Sequence, residues 1–116
     1  MSIERRLYPR IPANWPATLH NVQGSFEGEI KDISVDGVFI FLSEKPEFGV
    51  NFPILLKPSE EHSISVVGKK VWSGTFNIDN RPVFGMGVRF IRLSPEDQQY
   101  IAALVVKKRS DYLPEP

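Results

Sequence analysis

The sequence predicts an all-β fold, a six-stranded antiparallel β-barrel with one C-terminal α-helix. Two patterns carry this prediction. Six short apolar or alternating segments follow one another, separated by turns rich in Gly, Pro, Asn and Asp. The only strong amphipathic helix pattern comes last, after Ser94. With 116 residues, the chain has the size of one domain that can bury its own core.

The first half of the chain holds three predicted strands, at residues 17–22, 26–34 and 38–42, after an irregular lead-in at 11–16. Alternation in the second strand places Ile30, Asp32 and Ser34 on one face. The third strand is a continuous run of branched and aromatic residues, which is typical of a strand covered on both faces.

The second half holds three more strands, at residues 52–57, 64–75 and 84–90, with a hairpin tip at 77–82. The apolar parity of the fifth strand slips near Gly68, which predicts a β-bulge there. Ser94 and Pro95 have the residue types preferred at a helix N-cap and first turn. The apolar stripe of the helix would cover one opening or edge of the barrel and consists of Tyr100, Ile101, Leu104 and Val105. We assign residues 1–12 to a mobile arginine loop, 13–109 to the barrel with its helix, and 110–116 to a tail.

Composition excludes several function classes. Fourteen basic and fourteen acidic residues cancel, so binding of nucleic acid or membranes through bulk charge is not expected. Cysteine is absent, which excludes disulfides, thiolate catalysis and cysteine metal sites. No apolar run approaches the roughly 20 residues of a membrane span, and no signal peptide is visible. We therefore expect a cytoplasmic protein.

Three arginines, Arg5, Arg6 and Arg10, fall within six positions of this neutral chain. A guanidinium group is always charged, and its planar fork of donors suits phosphate oxygens and the O6/N7 edge of guanine. Pro9 disfavours a helix or a central strand, so the segment is predicted to be an extended loop. In that loop the Cα atoms of Arg6 and Arg10 would lie roughly 13 Å apart on one side. The cluster indicates an anionic ligand, although composition alone favours a solvated tail.

The second informative segment runs from Asp32 through Ser34 to Gly37, at the end of a predicted strand. Asp32 could accept hydrogen bonds from guanine or hold an arginine in place, and Gly37 permits a close backbone approach. An ordinary turn between two strands is the simpler alternative. A calcium loop is rejected, because Ile40 and Ser43 stand where ligands are required.

Other chemical motifs are weak. Trp72, on the long fifth strand, either packs at the barrel rim or stacks on a base. His20 and His62 lack metal-ligand spacing, and no nucleophile–base pair is found. We therefore predict no metal, no cofactor and no enzymatic activity.

The two segments together resemble the signature of a known family. Arg5-Arg6-x-x-x-Arg10, followed about twenty residues later by Asp32-x-Ser34-x-x-Gly37, looks like the motif pair of PilZ domains, which are bacterial receptors for cyclic di-GMP (c-di-GMP). The resemblance covers nearly the whole chain. It includes the succession of short strands, the sequence Gly87-Val88-Arg89-Phe90 and the closing helix.

The resemblance implies a six-stranded barrel and a c-di-GMP site. Its residues would be Arg5, Arg6, Arg10, Asp32, Ser34 and Gly37, with Trp72 as a rim aromatic that stacks on a guanine. The doubled arginine resembles members that bind an intercalated ligand dimer. Such a dimer carries four phosphates, and the motif supplies only three arginines. Arg89, Lys69 or Arg81 are therefore candidates to neutralise the remaining phosphate charge.

As a receptor, the protein would order its N-terminal loop on ligand binding and present the new surface to an unidentified protein effector. It would bind no DNA and would not span a membrane. The alternative is a ligand-independent PilZ-like adaptor on the same fold. A small nucleic-acid-binding barrel is disfavoured by the zero net charge.

Overall fold

The computed structural model describes residues 10–45 and 47–112, and the side chains of residues 10–45 and 47–108. In chain order the elements are β1 (Ile11–Asn21), β2 (Gly24–Ser34), β3 (Gly37–Leu42), β4 (Asn51–Ser59), β5 (His62–Ile78), β6 (Arg81–Arg92) and α1 (Pro95–Tyr112). The strands pair in the order β1-β2-β3-β6-β5-β4, and antiparallel pairing of β1 with β4 closes the barrel. The predicted all-β fold with one C-terminal helix is confirmed.

The inside of the barrel is filled by aliphatic side chains from all six strands. Fully buried examples are Leu19, Ile30, Ile40, Leu56, Ile64 and Met86. Inward residues alternate with outward ones along each strand, so every strand contributes one face to the core and one face to the outer wall. Burial of this apolar surface is the main term that stabilises the closed barrel.

Helix α1 begins as predicted and closes the core at one end. Ser94 is its N-cap: its side-chain oxygen accepts a 3.1 Å hydrogen bond from the backbone N–H of Asp97. Ile101 and Val105 are buried in the core, and Tyr100 and Leu104 pack against its edge. Tyr100 also stacks on His62, with 4.0 Å between ring centroids, which attaches the helix to the start of β5.

The structure corrects the predicted ends of the barrel. Residues 11–16 are part of β1 and not an irregular lead-in, since Ile11 and Ala13 already contribute to the core. A bulge between Pro12 and Trp15, with Asn14 at a φ of 116°, accommodates the residues that do not fit a regular ladder. At the other end, α1 continues to Tyr112, past the predicted boundary at residue 109.

The β5–β6 hairpin is the longest pairing of the barrel, and its tip is the predicted one. Asp79 and Asn80 both adopt positive φ, which is the geometry of a tight two-residue hairpin turn that Asp and Asn tolerate. Within the described residues, 10–45 and 47–112, no helix is both long enough and apolar enough to cross a membrane.

Candidate functional site

The two halves of the predicted motif meet through Arg10 and Asp32. Arg10 precedes β1, and its Nη1 donates a 2.9 Å hydrogen bond to Oδ1 of Asp32, 22 positions later in the chain. Pairing of β1 with β2, in which Pro12 lies opposite Asp32, brings the two side chains to the same end of the barrel. Both are partly exposed, at 25% and 33%, so the pair is accessible to a ligand.

One donor of Arg10 is enclosed by the protein. Its Nε is buried and has no hydrogen-bond partner among the residues that the structure describes. The Arg10 side chain is held in place by the bond from its Nη1 to Asp32.

Ser34, Asp36 and Gly37 form the tight turn between β2 and β3. The Ser34 hydroxyl donates to the Asp36 carboxylate and accepts from the Asp36 backbone N–H at 3.2 Å. The Asp36 carbonyl in turn accepts a 2.8 Å bond from the N–H of Phe90 on β6. Ser34, which is fully buried, therefore sets the shape of this turn.

Gly37 has a steric reason to be glycine. A Cβ at this position would collide with the backbone carbonyl oxygen of Val88 on β6. The turn therefore lies directly against β6, and Gly37 itself is buried in this contact.

A β-bulge turns Asp32 outward. The sequence predicted that Ile30, Asp32 and Ser34 share one face, but the register shifts between Ile30 and Asp32. As a result Ile30 and Ile33 point into the core, whereas Asp32 stands on the outer wall opposite Pro12 and Phe39. The expectation was wrong for Ile30, because one inserted residue reverses the alternation.

Strand β5 carries two such irregularities. The register shift between Val67 and Gly68 confirms the bulge predicted near Gly68. A second shift, between Lys70 and Trp72, was not predicted, and it places Trp72 opposite Gly87 on the outer wall. Without that shift, Trp72 would share the face of Gly68 and point inward.

The two bulges align Asp32 and Trp72 in one row across four strands. Asp32 of β2 lies opposite Phe39 of β3. Phe39 lies opposite Gly87 of β6, and Gly87 lies opposite Trp72 of β5. We call this the Asp32 row. Neighbouring strands are about 4.8 Å apart, so the row spans about 14 Å between its outer Cα atoms.

Trp72 is half-exposed, at 49%, and belongs to an aromatic cluster on the outer wall. Its ring lies 5.7 Å from that of Phe39 and 5.8 Å from that of Phe76, measured between centroids. Phe39 and Trp72 can meet across β6 because the residue between them is Gly87. The predicted alternatives for Trp72, rim packing and base stacking, are therefore compatible, since its ring packs in the cluster while about half of the residue stays exposed.

The remaining predicted residues, Arg5 and Arg6, lie outside the described part of the chain. The structure thus brings together Arg10, Asp32, Ser34 and Gly37, and it aligns Trp72 with Asp32 on the same wall. Sequence reasoning assigned no site role to Phe39 or Gly87. Their contribution depends on strand register, which is a property of the folded sheet.

Chemically, the arrangement suits an anion that also carries a planar ring. A guanidinium group, an accessible carboxylate and a half-exposed aromatic ring are available on one surface. In the part of the chain that is described, no cluster of three His, Asp or Glu side chains could hold a metal ion. Fold and site together define a ligand-binding β-barrel domain.

Comparison with known proteins identifies the family. Residues 4–107 match the family model described as PilZ domain, and the chain belongs to this family. PilZ domains are ligand-binding receptors and not enzymes. Among curated proteins, no sequence matches the chain significantly.

Solved structures with the same fold are distant in sequence. The PilZ domain of Escherichia coli YcgR with c-di-GMP has 15% identity and a TM-score of 0.72, and the match covers 95% of this chain and all of that one. The Bacillus subtilis inhibitor of motility MotI/DgrA has 19% identity and a TM-score of 0.77, with 97% of this chain and 55% of that chain covered.

The K. pneumonia MrkH–c-di-GMP complex has 17% identity and a TM-score of 0.79, with 94% and 54% covered. MrkH is described as a c-di-GMP-dependent transcription regulatory factor. The chain thus spans about half the length of MotI and MrkH.

Proposed function

We propose that this protein is a non-enzymatic receptor for c-di-GMP, which it binds between its N-terminal arginines and the β2–β3 turn. The observation that carries the proposal is the 2.9 Å ion pair between Arg10 and Asp32, which joins the two motif halves. Membership of the PilZ family and the neighbours solved with c-di-GMP support the choice of ligand.

In this proposal each group has a chemical role. Arg10 donates to a phosphate oxygen or to the O6/N7 edge of guanine. Asp32 orients Arg10 and accepts from the N–H edge of a guanine. Ser34 and Gly37 hold the turn that the ligand approaches, and Arg5 and Arg6 add positive charge from the N-terminal segment.

We further propose how binding becomes a signal. The N-terminal segment that precedes β1 folds over the barrel when guanine and phosphate engage the arginines, while the body of the barrel stays unchanged. The new surface is then recognised by a protein effector, in the cytoplasm, where a second messenger would be met. Residues 110–116, of which the first three belong to α1, take no part in the ligand site.

Calorimetric titration of the full chain with c-di-GMP tests the assignment. Arg10→Ala removes charge-assisted bonds worth about 1.5–3 kcal/mol each, so we expect affinity to fall by at least about tenfold. Circular dichroism should show an unchanged fold, because Arg10 lies outside the core. Arg92→Ala, which also removes one exposed arginine, serves as the control and should bind like the wild type.

Unchanged affinity in Arg10→Ala would contradict the site. Absence of binding by the wild type would leave the ligand-independent adaptor as the better description. Because MrkH is described as a transcription regulatory factor, a DNA mobility-shift assay with and without c-di-GMP should accompany the titration. We expect no shift, since the net charge of the chain is zero.

A further inference from the structure

The second half of strand β5 has an open edge. β4 pairs with β5 only from His62 to Lys69, and beyond Lys69 the strand is paired on one side only, with β6. Among the described residues, no backbone hydrogen bond from a loop or turn covers this edge. Residues 70–78 therefore form the outer strand of a hairpin that extends beyond β4. We call this stretch the β5 edge.

The turn of the hairpin determines which backbone groups point away from β6. In a two-residue hairpin the pair that flanks the turn, here Ile78 and Arg81, exchanges both of its hydrogen bonds, and bonded and non-bonded pairs alternate from there. The register is regular from Ile78 back to Ser73. The residues that direct their N–H and C=O groups to the open side are therefore Ser73, Thr75 and Asn77. Pro82, which has no N–H, lies opposite Asn77 in one of the non-bonded pairs.

The β5 edge lacks the residues that normally prevent strands from associating. Exposed edges are usually protected by charged side chains or proline. The other side of the same hairpin follows this rule, since β6 carries Arg81 and Pro82 where it extends beyond its pairing with β3. From Val71 to Ile78, in contrast, β5 contains neither a charge nor a proline. Four of these residues are large, apolar and exposed, namely Val71, Trp72, Phe76 and Ile78.

The sequence of the β5 edge is chemically symmetric about Gly74. If two copies pair in antiparallel orientation centred on Gly74, Ser73 of one copy lies opposite Thr75 of the other, and Trp72 lies opposite Phe76. Ser73 and Thr75 have outward backbone groups, so these pairs exchange hydrogen bonds. The two aromatic pairs fall at non-bonded positions, where opposed side chains are closest.

The surroundings of the edge fit the same register. Within one chain the aromatic cluster extends from Phe39 on β3 to Trp72 and Phe76 at the open edge. Pairing of two copies would join their clusters into one apolar surface. At both ends of the paired stretch, Lys70 of one copy lies beside Asp79 of the other, so opposite charges meet there.

We infer that two copies of this chain associate through the β5 edge and form a two-fold symmetric dimer. The hairpins of both copies then make one four-stranded sheet, in the order β6-β5-β5-β6. One strand pair buries little surface, so the dimer is reversible. The interface lies on β5, whereas Arg10 and Asp32 lie at β1 and β2, and the inference does not depend on the binding of c-di-GMP.

The test compares two double variants at the same exposed positions. Ser73→Lys/Thr75→Lys places like charges opposite each other between the two copies. Ser73→Lys/Thr75→Glu places opposite charges there. Sedimentation velocity of the full chain without ligand, from about 10 μM to about 1 mM, measures the monomer–dimer equilibrium in the range of weak interfaces.

We expect the wild type to dimerise as its concentration rises. Ser73→Lys/Thr75→Lys should weaken dimerisation by at least about tenfold, whereas Ser73→Lys/Thr75→Glu should retain it. Thermal unfolding should be similar for both variants at low concentration, because Ser73 and Thr75 are exposed in the monomer.

A substitution of the backbone donor provides an independent check. Thr75→Pro removes an N–H that points to the open side and is not used in pairing with β6, and proline is tolerated at strand edges. We expect this variant to remain folded and monomeric, as judged by circular dichroism and sedimentation. Thr75→Val, which keeps the N–H, is the control and should dimerise like the wild type.

Two results would overturn the inference. A wild type that stays monomeric up to about 1 mM would leave the β5 edge to a strand of another protein. Equal dimerisation of the two double variants would place the contact elsewhere on the molecule. Because all measurements are made without c-di-GMP, neither result affects the proposed receptor function, and failure of c-di-GMP binding would not affect the dimer.

Discussion

At the scale of single residues, the ion pair between Arg10 and Asp32 has a positional rather than a stabilising role. Both side chains are partly exposed, and exposed ion pairs contribute only about 0–1 kcal/mol to stability. What the pair does is hold a guanidinium at the end of β2, beside the β2–β3 turn. Preorganisation of this kind reduces the entropy lost when a ligand binds.

Asp32 and Asp36 are two carboxylates of the same segment with different surroundings. Asp32 accepts from Arg10 on the outer wall, whereas Asp36 accepts from Ser34 inside the turn. We predict that Asp32→Ala lowers c-di-GMP affinity by at least about tenfold, because it removes a direct acceptor and releases Arg10. Asp36→Ala should have a much smaller effect on affinity and a larger one on thermal stability. Titration calorimetry and thermal unfolding of both variants give the comparison, and equal losses of affinity would mean that the segment acts only as a scaffold.

At the scale of elements, the β-bulges decide which side chains reach the site. The face that a strand residue occupies can be predicted from sequence where apolar and polar residues alternate. A break in that alternation predicted the bulge near Gly68. The shift after Lys70 falls among exposed residues, whose identity says little about the face they occupy. The shift after Ile30 was hidden for the same reason, since Lys31 and Asp32 are both only partly buried.

The outward position of Trp72 therefore gives a prediction specific to β5. Trp72 and Phe76 belong to the same aromatic cluster and are both exposed, at 49% and 36%, but only Trp72 lies in the Asp32 row. Stacking of a base on an aromatic side chain contributes about 1–3 kcal/mol. We expect Trp72→Ala to weaken c-di-GMP binding by about tenfold or more, and Phe76→Ala to leave affinity unchanged while losing comparable stability.

Titration calorimetry provides the affinities, and chemical denaturation confirms that the two variants are equally destabilised. A similar loss of affinity in both would indicate that the aromatic cluster supports the wall as a whole. Affinity that is unchanged in Trp72→Ala would remove Trp72 from the site and leave it as a packing residue.

At the scale of the whole molecule, most of the fold was predictable and the assembly of the site was only partly so. The turns, the capped helix and the apolar stripe are local signals, and each was found where the sequence placed it. Strand order is not local: β3 pairs with β6, and closure depends on three residue pairs between β1 and β4. The β1–β2 hairpin brings Arg10 to Asp32. The non-local pairing of β3 with β6 then aligns Arg89, and through β5 also Trp72, with the β2–β3 region.

The proposed switch makes a prediction about the molecule as a whole. If the segment before β1 folds over the barrel on binding, c-di-GMP should protect the peptide bonds after Arg5 and Arg6 from trypsin, because a protease needs an extended, accessible chain. We expect cleavage at these bonds to slow by at least about tenfold at saturating ligand, as resolved by mass spectrometry. Cleavage after Lys107, at the far end of α1, is the internal control and should be unaffected.

The variant Arg10→Ala separates this switch from a general stabilisation of the protein. It keeps both cleavage sites but lacks the side chain that joins the N-terminal segment to Asp32, so added c-di-GMP should protect neither bond. Protection at Lys107 equal to that at Arg5 would indicate that the ligand stabilises the entire fold by mass action. If the wild type binds c-di-GMP but the bonds after Arg5 and Arg6 are not protected, the ligand binds to the outer wall of the barrel without folding of the N-terminal segment. An effector would then have to recognise the bound nucleotide itself.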